Sequence, residues 1–332
     1  MLKRDRLFLL VVSLILLAAS GCSTFTPAPT PLPTAAPNIE SPQATLSPSP
    51  SAVPLSSATL APQGTATPAP SPSLSPSRAG PVTPRLVVIA VGLSSPDDMV
   101  LAPDSSLYFT DVGDGTVRRL SPDGQVTLVL ARLSEPEGLV FLPDGSLIIV
   151  EQGRNRLLRY DFASKQLTPY LQLENRTNQA GVDSITLDPH DQSLLVPDSP
   201  NGAILRVSSA KTVTRLAGGL VRPTGLALAS DGSLVVADEF GNAVVRVRLD
   251  ARPTTEVIAR LSEPDDVVIG ADGAIYVNSL TESTIHRIDP ATGRDEVLYR
   301  GLKTPQGIVF DQDGNLVIAE AGSHRLVKLL LR

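Results

Sequence analysis

From residue 85 onward the chain alternates short apolar runs with short polar turns. In "EPDDVVIGADGAIYVNSLTESTIHRIDPAT" the run Val267-Val268-Ile269 meets a turn at Asp272-Gly273. A second run, Ala274 to Val277, leads through a polar loop to a third, Thr284 to Ile288. A turn from Asp289 to Gly293 precedes a fourth, Glu296 to Tyr299. Asp-Gly between apolar runs is a hairpin signal, so the segment predicts four short antiparallel strands. No stretch sustains a 3.6-residue period, which excludes helical repeats.

The same pattern recurs. Six segments stack on one another, with Pro96, Pro136, Val182, Pro223, Pro264 and Pro305 at the equivalent position. These positions lie 40, 46, 41, 41 and 41 residues apart. Four-stranded units with a period near forty predict an all-β fold, a six-bladed β-propeller over 85–332. The sixth unit ends at Arg332 after three strands. "RLVVIAVGL", Arg85 to Leu93, resembles the fourth strand of other units. The N-terminal strand, about 85–91, is therefore expected to close the last blade and remove an open sheet edge.

The first 84 residues follow different rules. Lys3, Arg4 and Arg6 precede an apolar run, Leu7 to Leu17, that is short for a membrane span. The following "AASGC" resembles a bacterial lipobox, so 1–21 is expected to be a lipoprotein signal peptide and Cys22 the lipidated residue. Cys22 is the single cysteine, which excludes an internal disulfide and a thiolate metal cluster. Residues 22–84 are dominated by Pro, Ser, Thr and Ala, too polar to offset the entropy of ordering, and predict a disordered stalk. At about 3.1 Å per residue it could hold a domain on the order of 100 Å from a membrane. The expected location is the outer side of the cytoplasmic membrane or the cell surface, tethered by lipid.

Charge narrows the partners. The chain carries a net charge of −6. The first 84 residues hold Lys3, Arg4, Arg6 and Arg78 against Asp5 and Glu40, so the propeller is the acidic part. Nucleic acid is excluded as a partner, since its binding rests on basic residues meeting phosphates. A small-molecule ligand or a protein on the propeller face is expected, with the chain a monomer.

In a propeller the first strand of each blade lines the axis. The residue after the repeated proline then stands at one mouth: Asp97, Glu137, Asp183, Thr224, Asp265 and Gln306. Like charges about 6 Å apart repel by about 3 kcal/mol at an effective dielectric near 20. Four acids at one mouth must therefore bind a cation, hold protons or stay hydrated. An oxygen-only set suits a hard cation, Ca²⁺ first, with Mn²⁺, Mg²⁺ or Zn²⁺ as alternatives. Asp97, Glu137, Asp183 and Asp265 are the candidate ligands. Thr224, Gln306, Asp98 and Asp266 are accessory; the last two fill a slot that is Gly138, Ser184, Gly225 and Gly307 elsewhere. Asp265 and Asp183 are candidate general bases.

A second acid series, Asp111, Glu151, Asp198, Asp238 and Glu320, with Ser279 in the remaining unit, reads as structural: carboxylates accepting loop amides. His190, His286 and His324 fall at non-equivalent places, and no His–Asp dyad is expected.

The units, "RPTGLALASDGSLVVADEFGNAVVRV" above all, resemble NHL repeats. The layout over 85–332 is similar to the gluconolactonase/regucalcin (senescence marker protein) family and, less closely, to the virginiamycin B lyases. The first resemblance implies a divalent metal in the channel, held through Pro-Asn-Gly and Pro-Asp-Gly motifs. The matching positions are Glu137 in "PEG", Asp97 and Asp265 in "PDD", and Asp183 in "VDS". It implies a hydrolase of lactones or related esters. The alternatives are a non-catalytic ligand- or protein-binding module and a lyase of cyclic esters, although the lyases' histidine has no evident counterpart.

Overall fold

The structure, a computed structural model, describes residues 84–174, 180–250 and 252–331. The signal peptide, Cys22 and the stalk expected over 22–84 lie outside the described residues, apart from Pro84. Twenty-four strands make six four-stranded antiparallel sheets. The N-terminal strand is β1 (Arg85–Val91). Blade one is β2 (Pro96–Leu101), β3 (Leu107–Asp111), β4 (Thr116–Leu120) and β5 (Val126–Leu130). Blade two is β6 (Pro136–Phe141), β7 (Leu147–Glu151), β8 (Arg156–Asp161) and β9 (Gln166–Gln172). Blade three is β10 (Thr186–Leu187), β11 (Leu194–Asp198), β12 (Ala203–Val207) and β13 (Val213–Gly218). Blade four is β14 (Pro223–Leu228), β15 (Leu234–Asp238), β16 (Ala243–Arg248) and β17 (Thr254–Arg260). Blade five is β18 (Pro264–Ile269), β19 (Ile275–Ser279), β20 (Thr284–Ile288) and β21 (Asp295–Arg300). Blade six is β22 (Pro305–Phe310), β23 (Leu316–Glu320) and β24 (Arg325–Leu330), and β1 pairs antiparallel with β24 to complete it.

The alternation of the strands explains the ring. In β7, Leu147 and Ile149 pack toward blade one with Val117, while Ile148 and Val150 pack toward blade three with Leu194 and Val196. Successive side chains point to opposite faces, so each blade contributes to two cores. Six apolar clusters result, one at each junction between neighbouring blades. The last joins Val317, Ala319 and Leu326 of blade six to Met99, Leu107 and Phe109 of blade one, with Ala90 of β1.

Local chemistry sets the turns. Gly273 has φ +75°, the left-handed conformation that glycine adopts without penalty, and Asp272 accepts the amide of Ala274 at 3.1 Å. The second acid series holds the connectors. Asp111 accepts the amides of Ser94 and Ser95, Glu151 that of Ser134, Asp238 those of Val221 and Arg222, and Glu320 that of Lys303. In blade five the Ser279 hydroxyl donates to Ser262 O.

Two expectations are corrected. Blade three begins with a strand of only two residues, and Asp183 lies before it. Its approach lacks the proline and is held by Asn155, whose side chain accepts the amide of Val182 and donates to Glu174 O. A His–Asp dyad does exist: His286 Nδ1 lies 2.9 Å from Asp295 and Nε2 lies 2.7 Å from Thr284 Oγ1. His286 is 2% exposed and Thr284 is fully buried, so the imidazole is a structural tie between β20 and β21. The pairing was illegible because Asp295 belongs to the neighbouring strand. Among the described residues no helix is long and apolar enough to cross a membrane.

Candidate functional site

In five blades the first strand starts at a proline whose following residue turns toward the axis; in blade three Val182 takes the proline's place and Asp183 precedes the strand. Asp97, Glu137, Asp183, Thr224, Asp265 and Gln306 all line one cup of roughly 140 Å³. The four acids come from blades one, two, three and five, so only closure of the ring assembles them. Thr224 donates to Asp265 O at 2.7 Å and Gln306 Nε2 donates to Asp97 Oδ2 at 2.8 Å, each binding the next blade around the axis.

Asp98 and Asp266 line the same cup and form part of a layer with a rule of its own. The slot after the mouth residue is glycine in blades two, four and six, and Asp98, Ser184 or Asp266 in blades one, three and five. A Cβ on Gly138 would lie 2.7 Å from Ser184 Cα, one on Gly225 2.6 Å from Asp266 Cα, and one on Gly307 2.6 Å from Asp98 Cα. Only alternate blades have room for a side chain at this depth. Asp266 uses that room to accept the amides of Val267 and Ile308, both at 2.8 Å, tying blade five to blade six. Asp98 accepts the amide of Met99 and the hydroxyl of Ser184.

Two residues that sequence reasoning missed complete the cup. Arg222, just before the mouth proline of blade four, places Nη2 2.8 Å from Asp183 Oδ2 and pairs through Nη1 with Glu239. Its guanidinium lies over the Phe240 ring, 5.2 Å from the centroid. Gln152 donates to the other oxygen of Asp183. Gln152 and Glu239 occupy one slot, the residue after the second acid series, and that recurrence was the signal available. Arg222 has no counterpart in the other units, which hold Ser95, Glu135, Gly181, Glu263 and Thr304 there.

The electrostatics follow from seven acids facing one arginine. Burial raises the pKa of Glu137 well above the carboxylate range, helped by repulsion from Asp97 and Asp183. Burial likewise raises Asp97, although its hydrogen bond with Glu137 works in the opposite sense. Burial raises Asp265 and Asp98 strongly, with Asp97 and Asp183 repelling Asp265, and Asp266 repelling Asp98. Asp183 is raised by burial to about 6, held down by Arg222 and Ser199. Asp266 is raised by burial to about 6, held down by its two amides. As it stands, the cup is short of positive charge.

The donor set bears on a metal. All the candidate ligands are oxygens, and Gln306 Oε1 is buried without a hydrogen-bond partner. This chemistry fits a hard divalent cation. The acids not held by Arg222 are Asp97, Glu137 and Asp265; Asp97 accepts from Gln306 and shares a hydrogen bond with Glu137, while Asp183 is engaged by Arg222 and Gln152. Their spacing is open: among the described residues, no three His, Cys, Asp or Glu side chains are grouped closely enough to hold an ion.

The fold and the cup define a six-bladed propeller with an acidic, axial site. Residues 98–300 match the SMP-30/Gluconolactonase/LRE-like region, and the chain belongs to that family. No curated protein matches the chain in sequence. Solved structures share the fold. A gluconolactonase from Xanthomonas campestris is 19% identical with a TM-score of 0.66, covering 76% of this chain and 91% of that one. A catalytically inactive histidine-to-alanine variant of virginiamycin B lyase from Staphylococcus aureus, with quinupristin, is 22% identical with a TM-score of 0.58, covering 72% and 81%. An auxiliary nutrient binding protein from Bacteroides thetaiotaomicron is 16% identical with a TM-score of 0.61, covering 72% and 69%.

Proposed function

We propose that the chain is an extracytoplasmic hydrolase of lactones or related esters that works with a divalent cation, Ca²⁺ by preference, at the propeller mouth. The observation that carries this reading is the convergence of Asp97, Glu137, Asp183 and Asp265 on one cup with a single arginine to offset them. To hold the cation, Asp97, Glu137 and Asp265 would have to draw in from the open spacing they have here, with Gln306 Oε1 as a neutral donor. A bound cation supplies Lewis acidity toward the ester carbonyl and lowers the pKa of a water. Asp183 is the general base. Arg222 and Gln152 fix both its oxygens in place, and the Arg222 charge favours its ionised, proton-accepting form. Glu239 and Phe240 in turn hold Arg222. A lyase reading is disfavoured because no histidine lines the cup. The lipid anchor at Cys22 and the Pro/Ser/Thr stalk would keep the propeller, as a monomer, on the outer side of the membrane.

Metal analysis and calorimetry on the purified protein, beside a lactone panel with and without chelator, test the proposal. One divalent cation per chain, chelator-sensitive turnover, and loss of both in Asp265→Ala are expected. Ligand binding without turnover or metal would replace this reading with a non-catalytic binding module.

A further inference from the structure

The mouth has two unlike halves. The residue after each second-series position forms an outer ring: Val112, Gln152, Ser199, Glu239, Leu280 and Ala321. Five of them are fixed alike, their amides donating to Ser95 O, Glu135 O, Arg222 O, Glu263 O and Thr304 O. The polar members, in blades two to four, are committed inward. Gln152 donates to Asp183, Ser199 donates to Pro223 O at 2.7 Å, and Glu239 pairs with Arg222. The members in blades five, six and one are Leu280, Ala321 and Val112, and Leu280 lines the cup.

A second observation falls beside Leu280, on blade four. Among the described residues, eight large hydrophobic side chains are exposed. Six of them, such as Val91 and Leu128, lie on the outermost strands, where scattered apolar residues are ordinary. The other two are Val221 (61% exposed) and Phe240 (58%), which flank Arg222 at the mouth, in the blade next to Leu280. Phe240 does not wave in solvent, because the Arg222 guanidinium lies over its ring. The cup itself, roughly 140 Å³, is smaller than the ~300–1,000 Å³ that encloses a drug-sized ligand. Anything larger than a small ring must extend beyond the cup onto its rim.

We infer that the ligand is amphipathic: a lactone or ester whose reacting ring enters the acidic cup and whose aliphatic or aromatic substituent lies across Val221, Phe240 and Leu280. The identity of the head group rests on the hydrolase reading; the apolar substituent rests on the lip. A sugar lactone offers this lip no apolar surface to bury, so it gains nothing from it.

The test uses δ-lactones bearing methyl, propyl, pentyl or heptyl groups beside the ring oxygen, with glucono-δ-lactone as the polyhydroxylated probe. Binding by calorimetry and turnover are both measured. On a half-exposed lip, affinity is expected to rise about two- to fourfold per methylene over the first few carbons. Glucono-δ-lactone should bind at least about tenfold more weakly than the pentyl lactone. Val221→Ser and, separately, Leu280→Gln should each lower pentyl affinity several-fold and leave the methyl lactone within about twofold. Val221 is 61% exposed, so thermal unfolding of its variant should not move. A flat series, equal binding of glucono-δ-lactone, or variants that weaken every member alike would overturn the inference. An intact series without turnover would sink the hydrolase reading and keep the lip; turnover with a flat series would do the reverse. No binding and no turnover would remove both.

Discussion

With divalent cations chelated, the propeller should be more stable at pH 5 than at pH 8, the opposite of ordinary acid destabilisation. The cause is the excess of buried carboxyls around one arginine. Asp183 and Asp266 rise from an ordinary 3.8 to about 6 in the folded protein. A group whose folded pKa is raised binds its proton more tightly when folded. Its contribution is fully present below the unfolded value and lost as pH rises through the folded one. Between pH 8 and pH 5 each such group gains about 1.4 kcal/mol, so the pair gives about 3 kcal/mol. Asp97, Asp98, Glu137 and Asp265 are raised in the same direction and share protons with these two, so they extend the effect without simply adding to it. The surface carboxylates Asp104, Asp144, Asp191 and Asp231 are lowered by hydrogen bonds and arginines, and their opposing loss begins below this window. For a domain of this size 1 kcal/mol moves the melting temperature by about 2–4 °C. Calorimetric scans in chelator should therefore show a melting temperature roughly 6–12 °C higher at pH 5. Saturating Ca²⁺ should close the gap from the alkaline side, by about 2.7 kcal/mol at a hundred times its dissociation constant. A melting temperature that is flat or rises from pH 5 to pH 8 without cation would refute the reasoning.

Three further perturbations separate the roles of these residues. Asp265→Asn should raise the melting temperature at pH 8 in chelator, because it removes repulsion from Asp97, Asp183 and Asp266, and should abolish cation binding by calorimetry. Gly225→Ala would drive a Cβ to 2.6 Å from Asp266 Cα, and denaturant titration should show a loss of about 1–3 kcal/mol or more. Deleting Arg85–Val91 removes the partner of β24, and with it the packing of Leu86, Ile89 and Ala90. At about 1.5–3 kcal/mol for each large side chain unburied, melting should fall by about 10 °C or more; an unchanged melting temperature would disprove closure by β1.

How much was legible in the chain follows from the range of each signal. Six repeats of apolar alternation and Asp-Gly turns determined the strands, and the repeat period determined the number of blades. The missing last strand pointed to Arg85–Val91, because a strand pattern shows which strand is absent. The mouth residues, Asp97 to Gln306, were readable because one repeat position occupies one place on the axis. The second acid series was readable for the same reason: Asp111, Glu151, Asp238 and Glu320 each serve their own connector, and Asp198 accepts from the Asn201 side chain. What the tertiary structure decided lies between blades. Asp98 and Asp266 are tolerated because glycines on the neighbouring blade, Gly307 and Gly225, leave their backbones room. Arg222 joins Asp183 and Glu239 although no repeat position announces it. His286 meets Asp295 across strands. A repeat records what every blade needs for itself. The charge, space and polarity at the axis are set by six different residues meeting at distances under the width of a side chain, and only ring closure fixes those distances.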